Sequence, residues 1–116
     1  MNLQEIFNQA YLGLKSQGFK RSGRVDEDGS FNCLYKMNDN LKCAIGWVIP
    51  DDKYSPKLDE CHIQEVLELV GFYATDEERQ FCVYLQTVHD GSKTPEVMQQ
   101  KLEQFAKDCK VVIPND

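Results

Sequence analysis

Residues 31–49 read FNCLYKMNDNLKCAIGWVI, and this stretch decides the fold. Apolar side chains occupy alternate positions on both sides of a polar break, Asn38-Asp39-Asn40, whose residue types are typical of a tight turn. The alternation predicts an antiparallel β-hairpin with strands over 31–37 and 41–49. The second strand carries apolar residues on its other face too, so we expect it to be the more buried of the two.

Two cysteines share one face of this predicted hairpin. Cys33 and Cys43 are ten positions apart, and side chains alternate between faces with a period of two. If the two residues lie opposite each other, their β-carbons are about 4.5–5.5 Å apart. A three-residue loop instead places Tyr35 opposite Cys43 and leaves the cysteines diagonal, at about 7 Å.

Helical periodicity dominates the rest of the chain. A helix is expected to start at Asn2 and to stop at Gly18, and the polar segment that follows is expected to be a mobile loop. The remaining predicted elements are helices over 59–70, from Thr75 to Gly91 and from Thr94 to about Cys109, and a short strand over 111–113. The sequence therefore predicts an α+β fold, mostly helical, with four helices packed around a two-stranded antiparallel hairpin.

Composition favours an ordinary globular domain. The chain has 116 residues, 41% hydrophobic and 28% charged, which suits one domain over 1–116 with a single core. The apolar positions near the N-terminus are interrupted by polar residues, so we expect an amphipathic helix rather than a signal peptide or a membrane span. Five cysteines, an odd number, argue against a disulfide framework and favour reduced thiols in the cytoplasm. No cofactor is expected.

The negative charge is concentrated in one part of the chain. Residues 59–90 carry eight acidic side chains and one basic side chain, Arg79. Such a segment repels phosphates, so direct nucleic-acid binding is not expected. The segment is either a solvated helix surface or a contact for a basic protein partner. The candidate contact residues are Glu65, Glu68, Asp76, Glu77 and Glu78.

The cysteine pair has three interpretations. The first is that Cys33 and Cys43 are packed core residues without chemistry. The second is a zinc site that includes Cys33, Cys43 and His89, with Cys61 or His62 as further candidates, although the spacing is not that of a CxxC knuckle. The third is a reversible thiol pair, which a reducing compartment keeps open.

His89 is the second residue with potential chemistry. It ends an apolar stripe near a helix C-terminus, and Asp90 follows it. A cysteine-dependent hydrolase or transferase would use Cys43 as nucleophile and His89 as base, with Asp90 or Asp51 to orient the imidazole. Catalytic cysteines favour helix N-termini, whereas Cys43 lies in a strand that is expected to be buried. A capping or hydrogen-bonded histidine is the alternative.

Several short motifs resemble a group of small proteins encoded in bacterial viruses and prophages. The chain has Leu41-Lys42-Cys43-Ala44-Ile45-Gly46 followed by Ile49-Pro50-Asp51, which is similar to a Lys-Cys-Ala-x-Gly-x-x-Ile-Pro-Asp core shared by that group. Leu85-Gln86 with His89-Asp90 is similar to a second element of the group, and the Leu-Gln-Glu-Ile-Phe start of the first helix also fits. The resemblance implies that Cys43, Gly46, Pro50, His89 and Asp90 belong to one framework. It implies a phage setting and no particular activity.

Taken together, these features predict a small non-enzymatic accessory protein of a phage or mobile element that binds a host or viral protein. The alternatives are the cysteine-dependent enzyme with Cys43 and His89, and a structural zinc protein. Gly46 has a physical interpretation in every case, because a glycine within a strand lets neighbouring backbone approach closely.

Overall fold

The computed structural model describes residues 2–61, 63–69 and 75–114. The described helices are α1 (Leu3–Ser16), α2 (Ile63–Leu69), α3 (Asp76–Gly91) and α4 (Pro95–Cys109). The described strands are β1 (Gly23–Val25), β2 (Phe31–Cys33), β3 (Lys36–Asn38) and β4 (Leu41–Lys42), paired as two small antiparallel hairpins, β1–β2 and β3–β4. The predicted α+β, mostly helical architecture is confirmed. No helix in this part of the chain is both long and apolar enough to cross a bilayer.

The helix starts follow the capping chemistry that the sequence predicts. The Asn2 side chain accepts from the Glu5 amide, and the Glu5 carboxylate accepts from the Asn2 amide in return. Thr75 and Glu78 make the same reciprocal pair at the start of α3. Thr94 caps α4 through the amide of Val97. Each cap satisfies main-chain donors that the first helical turn leaves unpaired, and is worth about 1 kcal/mol.

The helix predicted over 59–70 is wrong in its first part. A 3-10 helix spans Pro56–Glu60, and α2 begins only at Ile63, while residue 70 lies outside the described ranges. The Asp59 carboxylate has another role, since it accepts from the Tyr35 amide at 2.7 Å and from the Tyr54 hydroxyl at 2.7 Å. These bonds hold Asp59 against the strand segment.

The second strand predicted over 41–49 is also wrong beyond Lys42. The chain turns into a 3-10 helix at Ile45–Trp47, with the Trp47 amide 3.2 Å from the Cys43 carbonyl. A run that is apolar on every side fits a buried helical turn as well as a buried strand, and alternation alone does not separate the two. Every residue from Lys42 to Gly46 is buried, so this segment fills the centre of the molecule.

The segment expected to be a mobile loop provides β1 and the turn of the β1–β2 hairpin. The strand predicted over 31–37 is wrong as one element, since it divides into β2, which pairs with β1, and β3, which pairs with β4. β1 pairs with β2 in the register Gly23↔Cys33 and Val25↔Phe31. Its turn is closed by two main-chain bonds, Asp26 N–H to Ser30 O at 2.8 Å and Gly29 N–H to Asp26 O at 2.9 Å. Gly29 has φ +87°, a conformation that glycine adopts readily.

The C-terminal segment forms no strand in the described range. The amide and the carbonyl of Val112 both bond to the Gln4 side chain, each at 2.8 Å. This pairing satisfies the backbone of the segment without a neighbouring strand and fixes it beside the start of α1.

The core lies between the 3-10 segment and the helices α1, α2, α3 and α4. Its largest fully buried members are Phe7, Ile6, Leu14, Ile45, Leu67, Leu85, Met98 and Leu102. A β-carbon at Gly46 would collide with the Tyr35 carbonyl, so the predicted close approach at this glycine is confirmed, although in a helical turn. Gly13 likewise leaves room for the Trp47 ring, whose Nε1 donates to Gln17 Oε1 at 2.9 Å.

Candidate functional site

The C-terminal half of α3 carries a buried polar network, which begins with Gln86. The Gln86 amide oxygen accepts from the main-chain N–H of Ile45 at 3.1 Å. Its Nε2 donates to Cys33 Sγ at 2.8 Å and to Asp90 Oδ1 at 3.0 Å. One side chain thereby joins the 3-10 segment, β2 and the end of α3, and uses its acceptor and both of its donors.

His89 continues the network and is fully buried. Its Nε2 accepts from the main-chain N–H of Ser22 at 3.0 Å, and its Nδ1 lies 2.8 Å from Asp90 Oδ1. A main-chain N–H only donates, so Nε2 must offer its lone pair and Nδ1 must carry the proton that it donates to Asp90. Both ring nitrogens are therefore used: Nε2 ties α3 to the chain just before β1, and Nδ1 bonds within α3.

Two thiols approach each other at this network, although Cys33 lies in β2 and Cys43 follows β4, so they do not face each other across one hairpin. The main-chain N–H of Cys43 lies 3.4 Å from the Tyr35 carbonyl, which matches the register of the alternative with a three-residue loop. A hydrogen bond with Cys43, then burial, and then the Asp90 carboxylate raise the pKa of the Cys33 thiol. The Cys33 thiol is accordingly protonated at neutral pH.

Cys43 is completely buried, and its Sγ accepts from the Gly46 amide at 3.3 Å. A thiolate at this position would have no contact with solvent. With His89 Nε2 bonded to Ser22 and its Nδ1 protonated, the imidazole has no lone pair with which to act as a base. Asp51, the alternative orienting residue, instead bonds to Lys42 at 2.9 Å. The geometry gives no support to the catalytic set of Cys43, His89 and Asp90, which stays a prediction.

The network contains part of a possible metal-ligand set. Donor atoms of Cys33, His89 and Asp90 all lie within 4.8 Å of one another, a group that does not include Cys43. A metal-bound histidine offers one lone pair and donates its other N–H, whereas Nε2 of His89 faces a donor. Cys61 donates its thiol to the Lys57 carbonyl at 3.4 Å. These residues fit zinc poorly, and His62 lies outside the described residues.

The five acidic candidates divide into two groups. Glu65, Glu68, Asp76 and Glu77 are exposed on α2 and at the start of α3, which pack against each other. Glu78 is half-buried, and its carboxylate accepts from both the amide and the hydroxyl of Thr75. Glu78 therefore has a structural task in the cap, while the other four carboxylates project outward.

Sequence reasoning missed two members of the network. Ser22 lies in the segment predicted as a loop, and no local pattern marks an amide that will meet a histidine 67 positions away. The sequence indicates Gln86 only as part of the Leu85-Gln86 element. It lies one turn before His89 and Asp90, so the three side chains share one side of the helix. Its role depends on contacts with distant segments.

A small pocket opens beside the network, between the hairpin region, α2 and α3. It encloses about 240 Å³, and we refer to it as the Asp90 pocket. Its described lining consists of Tyr35, Cys61, Ile63, Val83, Gln86, Thr87 and Asp90. The Asp90 side chain is 40% exposed, so the carboxylate that closes the network also faces solvent.

Comparison with known proteins identifies no relative of this chain. No family model matches the sequence, and neither a curated protein nor a solved structure matches it. The function therefore has to be inferred from the residues of the chain.

Proposed function

We propose that this chain is a small non-enzymatic accessory protein of a phage or mobile element, which acts in the cytoplasm by binding a host or viral protein. One observation carries the proposal. Glu65, Glu68, Asp76 and Glu77 are exposed on two neighbouring helices, and no ion pair joins them to a basic side chain within the described ranges.

Helix stability accounts for only part of this acidity. Asp76 and Glu77 lie in the first turn of α3, where a negative charge is favourable to the helix dipole. Glu68 lies beyond the first turn of α2, where it gains no such stabilisation from the N-terminal end of the dipole. A surface that keeps such a charge unpaired is suited to a basic partner, whose association it would accelerate and orient.

The network at the other end of α3 supports a non-enzymatic role. The atoms that chemistry would need already have partners within the protein. His89 Nε2 accepts from the Ser22 main chain, and His89 Nδ1 bonds to the Asp90 carboxylate. Cys43 Sγ accepts from the Gly46 main chain. Every buried side-chain polar atom in the described ranges has a hydrogen-bond partner. A network of this kind holds a fold together and leaves neither the His89 imidazole nor the Cys43 thiol free to act as base or nucleophile.

The test compares two charge-reversal variants that change the net charge equally. Glu65→Lys/Glu77→Lys alters the proposed surface, and Glu96→Lys/Asp108→Lys alters exposed acids of α4 as the control. Immobilised protein is exposed to bacterial lysate, with and without phage infection, at about 0.05 M and about 0.3 M salt, because screening weakens exposed charge pairs. We expect wild type and control to retain the same specific protein at low salt, and the first variant to lose it.

The proposal fails if no protein is retained at either salt concentration. It also fails if the two double variants lose the partner equally, because net charge and not the surface of α2 and α3 would then be responsible.

A further inference from the structure

The Asp90 pocket presents acceptors and almost no donors. The Tyr35 hydroxyl lies 3.4 Å from the Cys61 carbonyl, and the Thr87 hydroxyl donates to the Val83 carbonyl at 2.8 Å. The Cys61 thiol donates to the Lys57 carbonyl. The protons of these groups are directed into the protein, so their lone pairs are what remains for a ligand.

The Asp90 carboxylate has acceptor capacity left. Its Oδ1 receives bonds from His89 and Gln86, and Cys33 Sγ lies within 4.8 Å of the carboxylate. A carboxylate offers about four acceptor sites, so at least one remains on a side chain that is 40% exposed. Arg21 is near, but it donates to the main-chain carbonyl of Asp90, at 2.9 Å, and stacks on Phe31.

Size and wall chemistry limit the occupant. Ile63 and Val83 provide apolar walls, and Asp90 provides the negative charge. The volume of about 240 Å³ is below the ~300–1,000 Å³ of typical small-molecule sites. A long side chain that ends in a cation would place its methylene groups along the apolar walls and its donors at the carboxylate.

We propose that the Asp90 pocket receives one basic side chain of the protein partner, an arginine in preference to a lysine. An arginine supplies five donors in a planar fork, which suits a pocket that has Asp90, Thr87 and Tyr35 as acceptors. This inference rests on the proposed function, since it supplies the anchoring contact of the same partner. His89 and Gln86 act as positioning residues that hold the carboxylate at the mouth of the pocket.

The test uses blocked arginine, N-acetyl-arginine amide, titrated into the protein while main-chain amide signals are followed by NMR. Blocked citrulline, which has the same shape without the charge, and blocked lysine are the comparison probes. We expect saturable shifts of the amides from Val83 to Asp90 with arginine, binding at least about fivefold weaker with lysine, and none with citrulline.

Two variants make the result decisive. Thr87→Trp fills the opening without touching the network, and Asp90→Asn removes the charge. Each is expected to weaken arginine binding at least about tenfold, while the surface control Glu96→Gln leaves it unchanged. If Asp90→Asn does not fold, Thr87→Trp alone decides. Equal shifts with citrulline, or arginine binding that survives Thr87→Trp, would overturn the inference.

The same variant separates this inference from the proposed function. If Thr87→Trp retains the captured partner as wild type does, while Glu65→Lys/Glu77→Lys loses it, the pocket is not the anchor and the binding function stands. If the wild-type protein captures no partner, the variants have nothing to lose, and the proposed function itself fails.

Discussion

The two ends of α3 carry similar polar side chains in opposite situations. At its start, Asp76 and Glu77 project into solvent without partners in the described part of the chain. At its end, Gln86, His89 and Asp90 bond to each other and to segments far away in the sequence. One helix thus presents charge at one end and holds the fold together at the other. The difference shows that polar side chains indicate a binding site only where their hydrogen-bonding atoms remain available to a partner.

This contrast has an energetic consequence. Groups at the closed end have replaced water with fixed partners, so removing one of them leaves another buried group unpaired. Groups at the open end remain hydrated, and their removal leaves nothing unsatisfied. Stability should therefore depend strongly on the closed end, and the charge that attracts a partner lies mainly at the open end. At the closed end only the Asp90 carboxylate, 40% exposed, remains accessible to a partner.

The largest effect is expected for His89→Ala. The change removes a fully buried ring and leaves the Ser22 amide without its acceptor. We expect the free energy of unfolding to fall by about 3 kcal/mol, measured by urea denaturation. Glu77→Ala, on the exposed end of the same helix, is the control. A loss below about 1 kcal/mol for His89→Ala would show that the network does not hold the fold.

Gln86→Leu should have the second-largest effect. Leucine preserves most of the volume but leaves the buried Ile45 amide unpaired. The expected loss is about 2 kcal/mol in the same measurement. Gln80→Leu, an exposed glutamine on the same helix, serves as the matched control. If the two glutamine variants were equally stable, the bridging role of Gln86 would be refuted.

Thr75→Ala tests the cap that starts the open end. It removes the oxygen that accepts from the Glu78 amide. A loss of about 1 kcal/mol is expected, and Thr75→Ser should restore it, because serine caps a helix as well as threonine does. If Thr75→Ser were as unstable as Thr75→Ala, the cap would not explain the effect.

Glu77→Gln is expected to have the smallest effect on stability, with an unfolding midpoint within error of wild type. Its side chain is exposed and makes no ion pair in the described ranges. The same substitution should weaken retention of the partner at low salt, in the capture experiment with lysate. A clear loss of stability without an effect on capture would reverse the roles assigned to the two ends.

Much of the fold follows from local rules. The helix starts at Asn2, Thr75 and Thr94 are predictable, because capping depends on residues within one turn. The strand predicted over 41–49 is wrong beyond Lys42, because the all-apolar run over 43–49 fits a buried helical turn equally well. The β1–β2 hairpin was missed because β1, Gly23–Val25, is short and carries no alternating pattern, and because the alternation of β2 continues into β3 as if the two were one strand.

Less of the candidate site follows from the sequence. Parity predicts that Cys33 and Cys43 lie close together on one face of a hairpin. The two thiols do influence each other, but Cys33 lies in the β1–β2 hairpin and Cys43 lies beyond β4. The tautomer of His89 could not be predicted, because it depends on the Ser22 amide, which comes near the imidazole only in the folded chain. The Asp90 pocket likewise combines residues from three separate segments.

The central claim is that the thiols and the imidazole hold the fold and perform no chemistry. It is tested most directly by the alkylation rates of individual cysteines in native protein, measured by peptide mass spectrometry from pH 6 to pH 9. The account predicts that half-buried Cys61 reacts faster than buried Cys43, and that the Cys33 rate still rises at the top of this range because its thiol pKa is raised. Alkylation of Cys43 ahead of Cys61, with a rate that levels off below pH 8, would contradict the account and favour the cysteine-dependent enzyme.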